Sequence, residues 1–202
     1  MQDTIVYAIT AGSIFLLCLA TLATPRKVNV FANYWLALFL FSFGCIILDR
    51  VLLDALVYDR YPEVSGLLEV TRFAMSPALY FSVLYFTVPD SKFKRSDYWH
   101  FVPAALFFAF ILIVTTGINR SVLFSWYFNL SEGIRLGFGF IVFVSLKVQM
   151  ILYWALSLVQ LRRHNKNIRM FASRIETISL SWLRYFLLGL AIALFLLSRL
   201  NH

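Results

Sequence analysis

The sequence indicates an all-α, polytopic membrane protein, a bundle of about six transmembrane helices. Of its 202 residues 61% are hydrophobic and 14% are charged, which is far more apolar than a soluble domain of this length. The apolar residues gather into six runs, each close to the roughly 20 residues that a spanning helix needs. Because these runs are apolar all round and do not alternate like lipid-facing strands, we expect helices, whose backbone satisfies itself in lipid.

The six predicted spans follow one another through nearly the whole chain. They cover residues 5–23, 30–48, 67–88, 99–116, 136–161 and 178–197. We therefore expect a single membrane domain over residues 1–202, with no soluble output domain.

Charged residues bound the spans in order along the chain. The first span ends before Arg26 and Lys27, and the second ends just before Asp49. The third contains Pro77, which removes a backbone N–H and is expected to kink the helix. The fourth begins at Trp99, an aromatic residue of the kind that anchors helix ends at a membrane surface.

The distribution of Lys and Arg predicts the orientation of the bundle. Positive charge crowds the first, third and fifth loops, at Arg26, Lys27, Lys92, Lys94, Arg95, Arg162, Arg163, Lys166, Arg169 and Arg174. Cytoplasmic loops carry such an excess, so both termini are predicted to lie outside a bacterial inner membrane. The net charge of +8 is then mostly topological, and no nucleic acid is expected to bind this segment.

Charged residues inside the spans are the candidate functional site. Asp49 and Arg50 end the second span, Glu69 and Arg72 lie in the outer part of the third, and Lys147 lies about eleven residues into the fifth. Charge is costly in hydrocarbon and usually faces a bundle interior or a wet cavity. These residues could therefore line a pocket, open to the outside, for a small-molecule or lipid signal.

Other interpretations of the same charges stay open. Glu69 and Arg72 are three residues apart on one helix face and could pair only with each other. Asp49 could lie in water beyond a short second span, and an ion or proton path is a further alternative. Lys147 has no acid within four residues on its own helix, so its partner would be Glu69 or Asp49, unless the side chain snorkels to the surface.

The sequence gives no sign of an enzyme. The three histidines, His100, His164 and His202, lie apart, and nothing has the spacing of a metal site or a cofactor site. Cys18 and Cys45 lie inside apolar runs, where thiols usually pack as small hydrophobic side chains. We therefore expect no catalytic residue, no metal and no cofactor, while a homodimer or a membrane partner stays open.

Short motifs at two places resemble a known family. MSPALYF at residues 75–81, followed by YWHFVP at residues 98–103, is similar to a "gPlLYfY … lHFiP" pattern. FASRIETISLSWLR at residues 171–184 is similar to an "FS..e.i.LsWLr" entry into the sixth span. Both patterns belong to the N-terminal membrane sensor domains of AraC-type regulators and sensor histidine kinases of Bacteroidetes.

The resemblance implies a sensor of about seven spans that precedes a cytoplasmic helix-turn-helix or kinase module. This sequence is expected to have six spans and no such module. No DNA-binding residue is therefore carried over from the family, and the family supplies no catalytic residue. The expectation is the sensing region of such a regulator, as a fragment without its last span or as a stand-alone relative. A small transporter and a structural subunit of a membrane complex are the alternatives.

Overall fold

Helices make up every regular element of the part of the chain that the structure describes. The structure is a computed structural model, and it describes residues 2–23, 29–116, 131–171, 180 and 182–189. The elements are α1 (Gln2–Ala23), α2 (Val30–Asp54), α3 (Val57–Arg60), α4 (Pro62–Thr87), a 3₁₀ helix (Arg95–Phe101), α5 (Val102–Thr116) and α6 (Glu132–Phe171). Residues 182–189 are also helical. The predicted all-α class is confirmed.

Four helical segments are long and apolar enough to cross a membrane, which indicates a membrane-embedded protein. They are Asp3–Ala23, Val30–Asp54, Arg95–Ile113 and Gly139–Lys166. They correspond to the first, second, fourth and fifth predicted spans. The third predicted span belongs to α4, which is less apolar than these four, and most of the sixth lies outside the described residues.

Helix α4 lies at the centre of the bundle. It packs against α2, α5 and α6, and also against α3 and the 3₁₀ helix. Its buried side chains include Phe73, Met75, Ser76, Ala78, Leu79, Phe81, Ser82, Val83 and Tyr85. Because protein and not lipid surrounds much of α4, this helix can carry serines and charged residues that would be costly on a lipid-facing helix.

The structure differs from the prediction at the ends of two spans. Helix α2 continues past the predicted end at Leu48 to Asp54, and α6 continues past Leu161 to Phe171. Between Gly139 and the end of α6 the sequence has no proline or glycine, so no local signal ends the helix at Leu161. The 40 residues of α6 span about 60 Å, roughly twice the hydrocarbon core, so one end of α6 extends into water.

Contacts between side chains show that α1 and α2 run antiparallel. The Thr4 hydroxyl donates to the Asp54 carboxylate at 2.7 Å, while the Cys18 thiol donates to the Ala37 carbonyl at 3.2 Å. The start of α1 therefore lies beside the end of α2. Cys18 and Cys45 are both free and buried, as small hydrophobic side chains would be.

Helices α4 and α6, in contrast, run parallel. The Gln149 side-chain amide donates to the Phe73 carbonyl at 3.0 Å, and that of Gln160 donates to the Thr87 hydroxyl at 3.0 Å. The residue of α6 that is later in the chain, Gln160, meets the later residue of α4, Thr87. The last turns of the two helices therefore lie at the same end of the bundle.

The bundle thus has two chemically different ends. We call the end formed by the start of α1, the end of α2, α3 and the start of α4 the carboxylate end. The opposite end, with the end of α4, the 3₁₀ helix and the last turns of α6, is the basic end. The basic residues of the third predicted loop and those that begin the fifth lie at the basic end, because Gln160 and Tyr153 of α6 contact Thr87 and His100.

An aromatic cluster holds the 3₁₀ helix against the bundle. The Trp35 ring lies 5.0 Å from Phe81, 5.7 Å from Phe93 and 5.4 Å from Phe101, measured between ring centroids. Aromatic rings at these separations attract one another beyond the area that they bury. The segment after α4 is therefore packed against α2 and α4 at the basic end.

Two glycines allow close approach between neighbouring helices. A Cβ atom at Gly44 would lie 2.8 Å from the Phe15 ring of α1, and one at Gly66 would lie 2.8 Å from the Ile111 side chain of α5. Small residues at helix contacts are typical of membrane bundles, where association depends on close packing.

Large apolar side chains cover the outer surface of the described helices. Those that are more than half exposed include Ile5, Ile9, Leu16, Leu106, Leu136, Phe140 and Ile151. A soluble protein rarely exposes so much contiguous apolar surface. Lipid is the solvent that this surface matches.

Candidate functional site

Arg72 connects α4 to α2 through two carboxylates at the carboxylate end. Its Nη2 atom lies 2.7 Å from Asp49 Oδ2 on α2, and its Nη1 atom lies 2.9 Å from Glu69 Oε1 one turn earlier on α4. The planar guanidinium presents several donors at once, so a single Arg can hold two carboxylates in fixed positions. The predicted proximity of Asp49, Glu69 and Arg72 is therefore present in the structure.

Tyr58 completes this group from the short helix α3. Leu56, between α2 and α3, has a left-handed backbone conformation with φ 55°. The chain reverses direction at this residue, and α3 returns toward α2. The Tyr58 hydroxyl then donates to Asp49 Oδ1. Burial and the adjacent Asp49 carboxylate raise the pKa of Tyr58, so its hydroxyl stays a neutral donor.

We call Asp49, Tyr58, Glu69 and Arg72 the carboxylate cluster. The side chains of Asp49, Glu69 and Arg72 are 16%, 29% and 30% exposed, so the group is mostly enclosed but not fully buried. The ionised cluster has a net charge of −1, because two carboxylates share one guanidinium. Arg72 Nε is buried and has no acceptor among the described residues.

Two further charged residues of α2, Arg50 and Asp54, lie at the same end of the bundle. Arg50 is exposed. Asp54 is also exposed, and it accepts a hydrogen bond from Thr4 at the start of α1. Among the described residues, the ion pairs of Arg72 are with Asp49 and Glu69 and not with Asp54.

Lys147 is not part of the cluster. Its Nζ atom lies 5.3 Å from the centroid of the Phe143 ring, one turn earlier on α6. Among the described residues, the ion pairs of Asp49 and Glu69 are with Arg72 and not with Lys147. The predicted pairing of Lys147 with either carboxylate is therefore not formed.

The geometry of α6 explains where Lys147 points. Gln149 faces α4, because its amide reaches the Phe73 carbonyl. Lys147 is two residues earlier, which rotates its side chain by about 200° around the helix axis. It therefore projects from nearly the opposite face of α6, although it lies close to the axial level of Arg72.

Pro77 creates an unsatisfied carbonyl in the middle of α4, and α6 satisfies it. A helical residue normally donates its N–H to the carbonyl four residues earlier, but proline has no N–H, so Phe73 loses this donor. The Gln149 amide supplies a replacement at 3.0 Å. We call this contact the Gln149 clasp, and it lies one residue beyond Arg72.

Sequence reasoning did not include Tyr58 or Gln149 in the site. Gln149 carried a usable signal, since an uncharged polar residue in an apolar span often bonds across helices. Tyr58 lies in a loop of ordinary composition, and only the reversal at Leu56 brings it to Asp49. That reversal has no clear signature in the sequence.

The described residues contain no group of three or more His, Cys, Asp or Glu that could hold a metal ion. Comparison of the chain with protein-family models, with curated proteins and with solved structures finds no match. The features of the molecule that bear on its function are the carboxylate cluster, the Gln149 clasp and the distribution of charge.

Proposed function

We propose that this chain is the signal-sensing membrane region of an AraC-type or kinase-type regulator in a bacterial inner membrane. The carboxylate end would face outward, with the N terminus outside, and the cluster would receive a small-molecule or lipid signal. The observation that carries the proposal is Arg72 on the central helix, held between carboxylates of α2 and α4 in a group that is only partly buried. The proposal also follows the resemblance of the short motifs described above.

The electrostatics of the cluster favour a site that responds to a ligand. Its members are partly removed from water, so each ionic contact is stronger than the same contact on an open surface. Two carboxylates compete for Arg72, and the buried Nε atom of Arg72 has an unused N–H. A polar ligand that engaged either group would change the balance between Asp49 and Glu69.

The path from the cluster to the opposite end passes through adjacent residues. Arg72 precedes Phe73, whose carbonyl is held by Gln149 of α6. At the far end, Gln160 of α6 again contacts α4 at Thr87. A small shift of α4 at Arg72 would change the hydrogen bond between Gln149 and Phe73. Because α6 is a continuous helix, its displacement would reach the basic end at Gln160. Two alternative states of the clasp would be the bistable element that such signalling needs.

A conformational experiment tests this coupling. Asp49→Asn weakens the hold on Arg72 without changing side-chain size, and the matched control is Asp54→Asn on the same helix. Both variants would be placed in lipid nanodiscs, and hydrogen exchange would be measured over residues 153–166. We expect Asp49→Asn to change exchange there and Asp54→Asn to leave it as in the wild type. Changes confined to residues 45–75 in both variants would contradict the coupling.

A second experiment tests the class of protein. The coding frame beyond His202 in the source genome would be read, and the purified chain would be tested for solute uptake in proteoliposomes. A frame that continues through an apolar run into a helix-turn-helix or kinase module supports the regulator. An immediate stop together with uptake would overturn it in favour of a small transporter.

A further inference from the structure

We propose that the basic end carries a binding surface for the headgroups of anionic phospholipids. Six cationic side chains form it, and we call them the basic collar: Lys92, Lys94, Arg95, Arg162, Arg163 and Lys166. This inference concerns the end opposite to the carboxylate cluster, and it is independent of the proposed sensing function.

Two contacts bring the two halves of the collar to one place. The segment that carries Lys92, Lys94 and Arg95 begins after Thr87, whose hydroxyl accepts from Gln160 at 3.0 Å. The same segment leads into the 3₁₀ helix, where His100 Nδ1 lies 2.6 Å from the Tyr153 hydroxyl of α6. Both flanks of the segment are therefore attached to α6, just before the turns that carry the other three cations.

The collar is available to a ligand. All six side chains are exposed, and none of them forms an ion pair with a residue in the described ranges. The acids that flank Lys92, Lys94 and Arg95 in sequence are Asp90, which is exposed, and Asp97. Asp97 is engaged locally, because its carboxylate accepts from the Lys94 backbone N–H at 2.8 Å and from the Ser96 hydroxyl at 3.3 Å. Among the described residues, the positive charge of the collar is thus not neutralised by ion pairs.

Exposed aromatic residues place the collar at the depth of lipid headgroups. Tyr98 and Trp99, in the 3₁₀ helix, are 65% and 75% exposed. Such rings concentrate at membrane interfaces, where their apolar body meets hydrocarbon and their polar edge meets water. Cations within a few residues of them lie at the level of lipid phosphates.

The chemistry of the collar fits a phosphodiester with net negative charge. The three arginines can bind phosphate oxygens through paired N–H groups, and the three lysines add mobile point charges. Clusters of four to eight cations at the cytoplasmic end of a span attract anionic lipids, with each cation contributing about fivefold in affinity. A zwitterionic lipid carries its own ammonium group and would compete poorly for these side chains.

The test uses the whole chain in neutral detergent with added lipid. Unfolding would be followed by a thiol-reactive fluorophore, since Cys18 and Cys45 are buried and free until the bundle opens. We expect phosphatidylglycerol to raise Tm in a saturable manner, and phosphatidylcholine or inorganic phosphate to have little effect. Raising NaCl from about 0.05 to 0.5 M should weaken the response, because the screening length shortens.

Variants locate the binding surface. R162Q/R163Q/K166Q should raise the half-saturating concentration of phosphatidylglycerol by at least about tenfold. The charge-preserving variant R162K/R163K/K166R should restore most of the response, and Arg60→Gln, an exposed cation at the carboxylate end, is the matched control. Equal responses to the two lipids, or equal losses in Arg60→Gln and the triple variant, would overturn the proposal. A response to inorganic phosphate alone would assign a free anion site.

Discussion

The two ends of the bundle differ in how their charged side chains are neutralised. At the carboxylate end, Arg72 lies between Asp49 and Glu69, and Tyr58 takes another oxygen of Asp49. At the basic end, the six cations of the collar are exposed and make no ion pair with a described residue. The first end neutralises much of its charge internally, while the second presents its charge to the surroundings.

The difference follows from what surrounds each charge. Arg72 lies on the central helix, where neighbouring helices displace water, so it is stable only with partners in fixed positions. The side chains of the collar are exposed, so no protein partner is needed to stabilise each cation. Lys147 is an intermediate case, a cation near the level of Arg72 that projects from another face of α6. Four substitutions test this contrast, in order of expected effect.

Arg72→Met should have the largest effect. It leaves Asp49 and Glu69 close together without their shared cation, and we expect it to lower the free energy of unfolding by about 2 to 3 kcal/mol. The value is below that for fully buried pairs because the side chains of the cluster are 16–30% exposed. Melting in detergent, followed by exposure of the buried cysteines, measures it.

The control for Arg72→Met is Arg60→Met, which removes an exposed cation from the same end of the bundle. Arg60 lies 5.7 Å from the centroid of the Tyr61 ring, and its loss should matter little. If both variants melt at the same temperature, the pairing at Arg72 does not stabilise the bundle.

Gln149→Leu should have the next largest effect, because it removes the donor to the Phe73 carbonyl. We expect a loss of about 1 kcal/mol in unfolding free energy, as is typical of hydrogen bonds between membrane helices. Pro77→Ala restores a backbone N–H to that carbonyl, so Gln149→Leu should cost less in a Pro77→Ala background.

Chemical or thermal unfolding of the two single variants and the double variant measures this coupling. Additive effects would mean that Gln149 acts by packing and not by replacing the donor that Pro77 lacks.

Tyr58→Phe should cost about 1 kcal/mol at neutral pH, since it removes the hydroxyl donor to Asp49. The pKa of Tyr58 is raised in the folded state, so this contribution is fully present below the ordinary tyrosine pKa of about 10. It is lost as pH rises above that value, because the unfolded chain ionises first.

The difference in Tm between wild type and Tyr58→Phe should therefore narrow from pH 7 to about pH 10.5. Tyr98→Phe, an exposed tyrosine at the basic end, serves as the control and should show no such narrowing. A difference that stays constant with pH would contradict the assigned hydrogen bond.

Lys147→Met should have the smallest effect, within about 0.5 kcal/mol of wild type. Its ammonium lies over the Phe143 ring, and it forms no ion pair with a carboxylate among the described residues. The same melting assay measures it. A loss as large as that of Arg72→Met would mean that Lys147 pairs within the bundle, and the contrast between the two cations would fail.

The candidate site was partly predictable from residue spacing. Glu69 and Arg72 are three residues apart, and that separation alone puts them on one face of a helix. The approach of Asp49 also followed from its place at the end of the preceding span, since consecutive spans run antiparallel through short loops. Lys147 was not predictable in this way, because its depth is set by sequence position but the direction of its side chain depends on which face of α6 packs against α4.

The sequence by itself determined the helical class, the membrane as solvent and the alternation of basic and acidic ends, because these depend on composition and on position along the chain. Tertiary structure alone decided that α4 lies at the centre, that Tyr58 returns to Asp49 after Leu56, and that Gln149 replaces the donor that Pro77 lacks. The physical reason is that a helix with apolar residues all round can present any of its faces to lipid. Only packing chooses which faces meet, and with them which polar groups become partners.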